Sequence, residues 1–302
     1  MQRPLAVILL GLAIRALPAP AQELEPRAYS PAPKGTNFVL LAYSYQSGEV
    51  LFDPSLPITD VHAYINGVTT GYGHSFSLFG RIASAAVGVP YAWGSVNGNV
   101  AEEHQKITRS GLADARFRFV VNLLGGPALT PQEFARTKPE TTLGFSLVVS
   151  TPTGQYSPDK LINLGTNRWA FKPEFGLSFP TGRWTLEAAA GVWLFTHNPE
   201  AFPAGTVDRS QDPLWSFQAH VGYTVRPGLW VAADATYYVG GRLYSNGVPG
   251  NTRQSNSRIG ATVSIPVARR HTVKFSVASG VSSRVGTRFT TYGAAYQFIW
   301  FN

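Results

Sequence analysis

The sequence predicts an all-β protein, an antiparallel transmembrane β-barrel of the bacterial outer membrane with about twelve strands. Three observations carry this. First, Trp215 to Arg226 alternates without a break. Trp215, Phe217, Ala219, Val221, Tyr223 and Val225 fall on one face of a strand, and Ser216, Gln218, His220, Gly222, Thr224 and Arg226 on the other. Second, segments of this kind recur along most of the chain at about ten to fifteen residues each, the length membrane barrels use. Third, charged residues are 14% of the chain, against about 25% in ordinary soluble domains, too few to coat a water-facing surface of this size.

Residues 1–21 read as an export signal. Arg3 supplies the positive start, Pro4 to Ile14 the apolar run and Ala19-Pro20-Ala21 the small-residue cleavage site. That run is shorter than the about 20 residues a helical span needs, and nothing later reaches that length, so any membrane crossing is made by strands. Residues 22–35, rich in proline, read as a loose periplasmic lead-in to a barrel over 36–302. Strand-like segments then lie near 37–47, 60–70, 81–96, 111–124, 140–152, 166–179, 183–196, 213–226, 229–240, 257–268, 271–281 and 289–301; the first three are the least regular.

Alternation alone does not say which face is outside, because a soluble lipid-binding barrel alternates too. Two features decide. The polar faces hold many Gly, Ala, Ser and Thr, which suit a crowded lumen, and the greasy faces carry aromatics near both ends, as interfacial girdles do. Eight steps from Trp215 to Tyr223 span about 26 Å, or roughly 20 Å of height at a tilt of about 40°, close to the ~25 Å apolar band of such barrels.

With a periplasmic start, the connections near 48–59, 97–110, 153–165, 197–212, 241–256 and 282–288 face outside and are mostly long. Those at Pro180–Gly182, Pro227–Gly228 and Ala268–Arg270 face inside and are short. Gly125 to Pro139 breaks the rule. Its Thr130-Pro131-Gln132-Glu133 has capping-box spacing with proline at the first helical position, which predicts a turn or two of helix at the periplasmic rim. In the last segment Tyr292, Ala294, Tyr296, Phe298 and Trp300 share a face. An aromatic final strand resembles the signal read by the outer-membrane barrel assembly machinery, although Asn302 occupies the parity where a terminal Phe is usual.

The absence of cysteine excludes disulfides, thiolate chemistry and cysteine zinc sites. Removing Arg3 and Arg15 with the signal takes the net charge from +8 to +6. A moderately basic exported chain can meet lipopolysaccharide phosphates, outer-membrane lipid or anionic solutes; nothing points to nucleic acid. The inward parity collects five basic groups, Arg116, Arg118, Lys172, Arg258 and Lys274, and four acidic ones, Asp114, Glu174, Glu187 and Asp234, with Gln218 and His220 beside them. These lumen-facing candidates either sort solutes by charge or pair across the lumen and stiffen the barrel, and the near balance of sign favours pairing. Arg116 and Arg118, two residues apart with Asp114 beside them, are the pair best placed for an anionic solute.

No cofactor or metal is expected. His62, His74, His104, His197 and His271 lack metal-ligand spacing. Catalytic residues are also absent: His74 and Ser75 are adjacent and would point apart in a strand, Ser245-Asn246-Gly247 has no histidine just before it, and no G-x-S-x-G occurs.

Several blocks resemble an outer-membrane family known as the putative MetA-pathway of phenol degradation family. They are Asn163-Leu164-Gly165-Thr166-Asn167-Arg168-Trp169 with Lys172-Pro173-Glu174; Asn256-Ser257-Arg258-Ile259-Gly260 with Ile265-Pro266-Val267 and Arg269-Arg270-His271; and Gly280-Val281-Ser282-Ser283-Arg284-Val285-Gly286-Thr287. Gly111-Leu112-Ala113-Asp114 and Leu123-Leu124-Gly125 are similar too. The resemblance implies an outer-membrane barrel associated with uptake of aromatic compounds, and it carries no catalytic residues. The expected function is passive passage of small, aromatic or otherwise apolar solutes. The alternative is a structural or surface-recognition barrel with a closed lumen.

Overall fold

A computed structural model describes residues 25–51, 58–100, 103–203 and 205–302; the expected signal, 1–21, lies outside them. The chain forms one closed antiparallel barrel. Its strands are β1 (Thr36–Leu51), β2 (Ile58–Leu78), β3 (Arg81–Val100), β4 (Glu103–Leu112), β5 (Arg116–Leu124), β6 (Thr142–Ser150), β7 (Ala170–Thr181), β8 (Trp184–Phe195), β11 (Leu214–Arg226), β12 (Leu229–Gly240), β15 (Gln254–Ala268), β16 (His271–Ser283) and β17 (Gly286–Phe301), with four short strands introduced below. β1 pairs with both β2 and β17, which closes the cylinder. β5 pairs with the first part of β3, up to Gly88, and β4 with the part from Tyr91 on. These two pieces share one position, so the wall has the twelve strands expected.

The two faces separate as the dyads predict. Along β11, Trp215 is 51% exposed and Ser216 1%. Phe217 and Val221 are exposed in the same way, while Gln218 and His220 are buried. Trp169, Phe175, Trp184, Ile259, Phe275 and Tyr292 likewise face out. A surface this rich in bare apolar side chains suits lipid and not water. At the short-turn end Trp184 and Tyr223 meet edge to face at 4.8 Å, part of an aromatic belt.

The short turns at Phe79–Gly80, Gly182–Arg183, Pro227–Gly228 and Arg269–Arg270 lie at one end, together with the 125–141 connection. That connection carries the predicted helix, α1 (Pro131–Arg136). Thr130 accepts from the Glu133 backbone N–H, Glu133 accepts from the Thr130 backbone N–H at 2.8 Å, and proline opens the helix. These bonds favour the ionised carboxyl and hold Glu133 below the usual carboxylate range.

The outer end differs from expectation. Much of the connections near 48–59 and 97–110 is strand: β2 is 21 residues long and β3 20, so this side of the wall rises well beyond the bilayer. Two outer connections form a small sheet of β9 (Asn198–Ala201), β10 (Val207–Gln211), β13 (Leu243–Ser245) and β14 (Val248–Pro249). The expected continuous strand 111–124 is split. Ala113 and Asp114 are both buried, and the inward parity shifts from Gly111 to Arg116. Across the split lies Pro90, whose carbonyl accepts from the Ala113 N–H at 2.9 Å but which has no N–H to return.

Candidate functional site

The split in the wall directs the connection between β6 and β7 into the barrel. Asp114, 3% exposed, accepts from the backbone N–H of Gly154 (2.9 Å), the backbone N–H of Thr166 (2.9 Å) and the Thr166 hydroxyl (2.6 Å). Its carboxylate thereby ties down both ends of residues 154–166. Within the loop, the Asn163 side chain accepts from the Ser157 N–H and donates to the Ser157 and Lys160 carbonyls. Gly154 and Gly165 touch so closely that a Cβ on Gly165 would lie 2.5 Å from the Gly154 carbonyl oxygen. Arg109 donates to the Ile162 carbonyl at 2.9 Å, and Ile162 packs on Val61, Ala63, Val96 and Phe289 inside the wall.

A second segment enters from the short-turn end. Residues 25–30 are not a loose lead-in: they lie against the lumen wall. The Tyr29 hydroxyl donates to Glu174 Oε1 at 2.8 Å and pairs with Ser146 at 3.0 Å. The Tyr29 ring sits over Gly144 and Gly176, where any side chain would collide with it. The Arg27 N–H donates to Glu187 at 2.6 Å, its guanidinium donates to Thr224 at 2.5 Å, and Glu25 pairs with Arg118. The backbone then returns to the wall through Lys34 N–H to the Leu129 carbonyl (2.8 Å).

Between these two inserts lies a chamber of about 690 Å³. Phe38, Leu40, Ala42, Ala86 and Ile107 give it an apolar side. Arg116, Arg118, Arg258, Lys274 and Arg27 also line it, with Arg118 directly across from Ala86 on the neighbouring strand. Above the loop is a smaller cavity of about 140 Å³ with Trp193, Phe195, Tyr238 and Phe289 in its lining. Gln46, Arg116 and Asn163 line both cavities, so the two adjoin at the loop.

The charges pair with near neighbours and with the inserts. Glu174 is held by Tyr29, by Gln218 (2.9 Å) and by Lys172 (3.1 Å), its neighbour on the same strand. Asp234 accepts from Thr262 (3.0 Å) and pairs with His220 (2.7 Å) on the adjoining strand. Glu187 serves Arg27, and Asp114 serves the loop. The acids thus hold inserts and neighbours, while Arg116, Arg118, Arg258 and Lys274 line the chamber; Arg258 also donates to Thr291 at 3.1 Å. Arg118 is paired with Glu25, and Arg116 lines both cavities. Parity could not show this, because the partners of Asp114 are 40 and 52 residues away. Tyr29, Arg27, Arg109 and Trp230 join the site without a sequence signal for it. Among the described residues no cluster of His, Asp and Glu could hold a metal ion.

The blocks that suggested a family fall on these devices. Asn163 to Arg168 and Gly111 to Asp114 build the inward loop, and Asn256 fixes the β16–β17 turn by donating to Val285 and accepting from the Arg284 N–H. Residues 43–298 match the model of the family described as "Putative MetA-pathway of phenol degradation". The chain belongs to this family. Among solved structures, an outer membrane channel from Pseudomonas putida has a TM-score of 0.77 at 18% identity, over 92% of this chain and 100% of that one. The beta domain of a Bordetella autotransporter gives 0.52 at 13% identity, over 88% of this chain and 100% of that one. The transport unit of the Escherichia coli autotransporter AIDA-I gives 0.52 at 10% identity, over 99% and 97%. A comparison with curated proteins returns no match. At these identities the solved structures speak for the fold, and they place the family member as an outer-membrane β-barrel.

Proposed function

We propose that the protein is a passive outer-membrane channel for small solutes with apolar, including aromatic, bodies. The observation that carries this reading is that two cavities adjoin at the inward loop, with apolar side chains in the lining of the larger one. A chamber of about 690 Å³ is within the size range of small-molecule sites. The family description, phenol degradation, supports aromatic solutes. The inserts narrow the lumen, which favours small solutes over the wide traffic of a general porin.

The same inserts favour a second reading, a structural or surface-recognition barrel whose lumen stays closed. Solute-dependent swelling of liposomes holding the refolded protein separates the two. The channel reading expects swelling with benzyl alcohol above that of empty vesicles; the closed barrel expects none. In the channel reading the protein passes solutes without chemistry, and His220 serves Asp234 on the lumen wall. In this reading residues 1–21 direct export through the periplasm, the barrel assembly machinery reads the aromatic last strand, and lipid and lipopolysaccharide surround the apolar wall. Nucleic acid has no place in it.

A further inference from the structure

We propose that the chamber contains a binding station for organic anions, built by Lys274 and Arg27 on the ring of Trp230, so that preferred solutes carry a carboxylate or phenolate on an apolar body. This rests on the channel reading and names its solute class. The Arg27 guanidinium lies 4.7 Å from the Trp230 ring centroid and the Lys274 ammonium 5.9 Å from the same centroid. Two like charges therefore lie against one indole ring. Arg27 has Glu187 and Thr224 beside it. Lys274 makes no hydrogen bond or ion pair among the described residues, and its side chain lines the chamber. The charged lining of the chamber is Arg27, Arg109, Arg116, Arg118, Arg258 and Lys274 against Glu25 alone, and Glu25 is engaged by Arg118.

Two cations this close to one ring repel each other, and an anion entering beside them relieves the repulsion. A neutral solute does not. The apolar side at Phe38, Leu40 and Ala42 takes the hydrocarbon body while the ammonium and guanidinium take the head. The arrangement thus sorts amphipathic anions from neutral compounds of the same shape.

Cinnamate and cinnamamide are near-isosteric and differ in charge, so they serve as probes. Titration calorimetry of the refolded chain in detergent is expected to show cinnamate binding about tenfold tighter than cinnamamide, as a charge-assisted contact predicts. Lys274→Met, or Lys274→Gln if the former does not refold, is expected to bring the two affinities together, while Lys274→Arg keeps the preference. The heat-dependent gel shift of each variant confirms its barrel. Equal affinities in the native chain, an undiminished preference in both neutral variants, or no saturable binding of either probe would overturn the station. Liposome flux is read separately. A protein that binds cinnamate selectively but passes no solute upholds the station and defeats the channel. A protein that passes both probes and binds without preference does the reverse.

Discussion

At the scale of single residues, Asp114 has most to do with the shape of the lumen. A lone carboxylate on a barrel's inner face is costly to bury unless its oxygens are bonded, and here three donors from the 154–166 loop satisfy them. Asp114→Ala leaves two half-buried backbone N–H groups without an acceptor. We expect a loss of about 3 kcal/mol of stability, from the cost of orphaned donors and lost charge-assisted bonds. Unfolding in denaturant should show it, together with new protease sensitivity within 154–166. An unchanged midpoint and a protected loop would contradict the anchoring role. Glu174 and Asp234 are buried on the lumen side of their strands, whereas Asp114 sits in the break between β4 and β5, where the period does not apply. Alternation could not say what each carboxylate bonds, because those partners come from distant chain segments.

At the scale of elements, strands and helix were the legible part. The helix at Pro131–Arg136 depends on a local cap that three or four residues specify. The strand positions depend on period-two patterns that survive anywhere in the chain. The split between β4 and β5 was missed because Ala113 and Ala115 fit a greasy face equally well as a bulge. The segment at 25–30 was missed for a different reason: it has no period and takes its form from the wall. Gly176 tests that dependence. A Cβ there would lie 2.0 Å from the Tyr29 ring, although alanine suits a strand otherwise. Gly176→Ala should therefore expel the segment, raising ion conductance in planar bilayers and exposing residues 25–35 to protease. Conductance and protection like those of the native protein would mean that the segment does not depend on the Tyr29 seat.

At the scale of the whole molecule, closure and a lipid-facing exterior follow from composition. Apolar faces cover the outside, and the few charges are directed to the lumen, the rims and the outer sheet. The net positive charge was legible too; its distribution was not. The acids hold the N-terminal segment, the loop and neighbouring strands. Arg116, Arg118, Arg258 and Lys274 line the chamber. The narrowness of the route follows from the inserts that these acids hold.

The central claim is that solutes pass through the chamber between the inward loop and the N-terminal segment. The most direct measurement compares benzyl alcohol flux into liposomes holding the native protein with flux through Ala86→Trp, which places an indole in the chamber from β3. The account predicts flux above empty vesicles for the native protein and its loss in the variant, with both proteins showing the same heat-dependent gel shift. Equal flux through the two, or none through the native barrel, would contradict it.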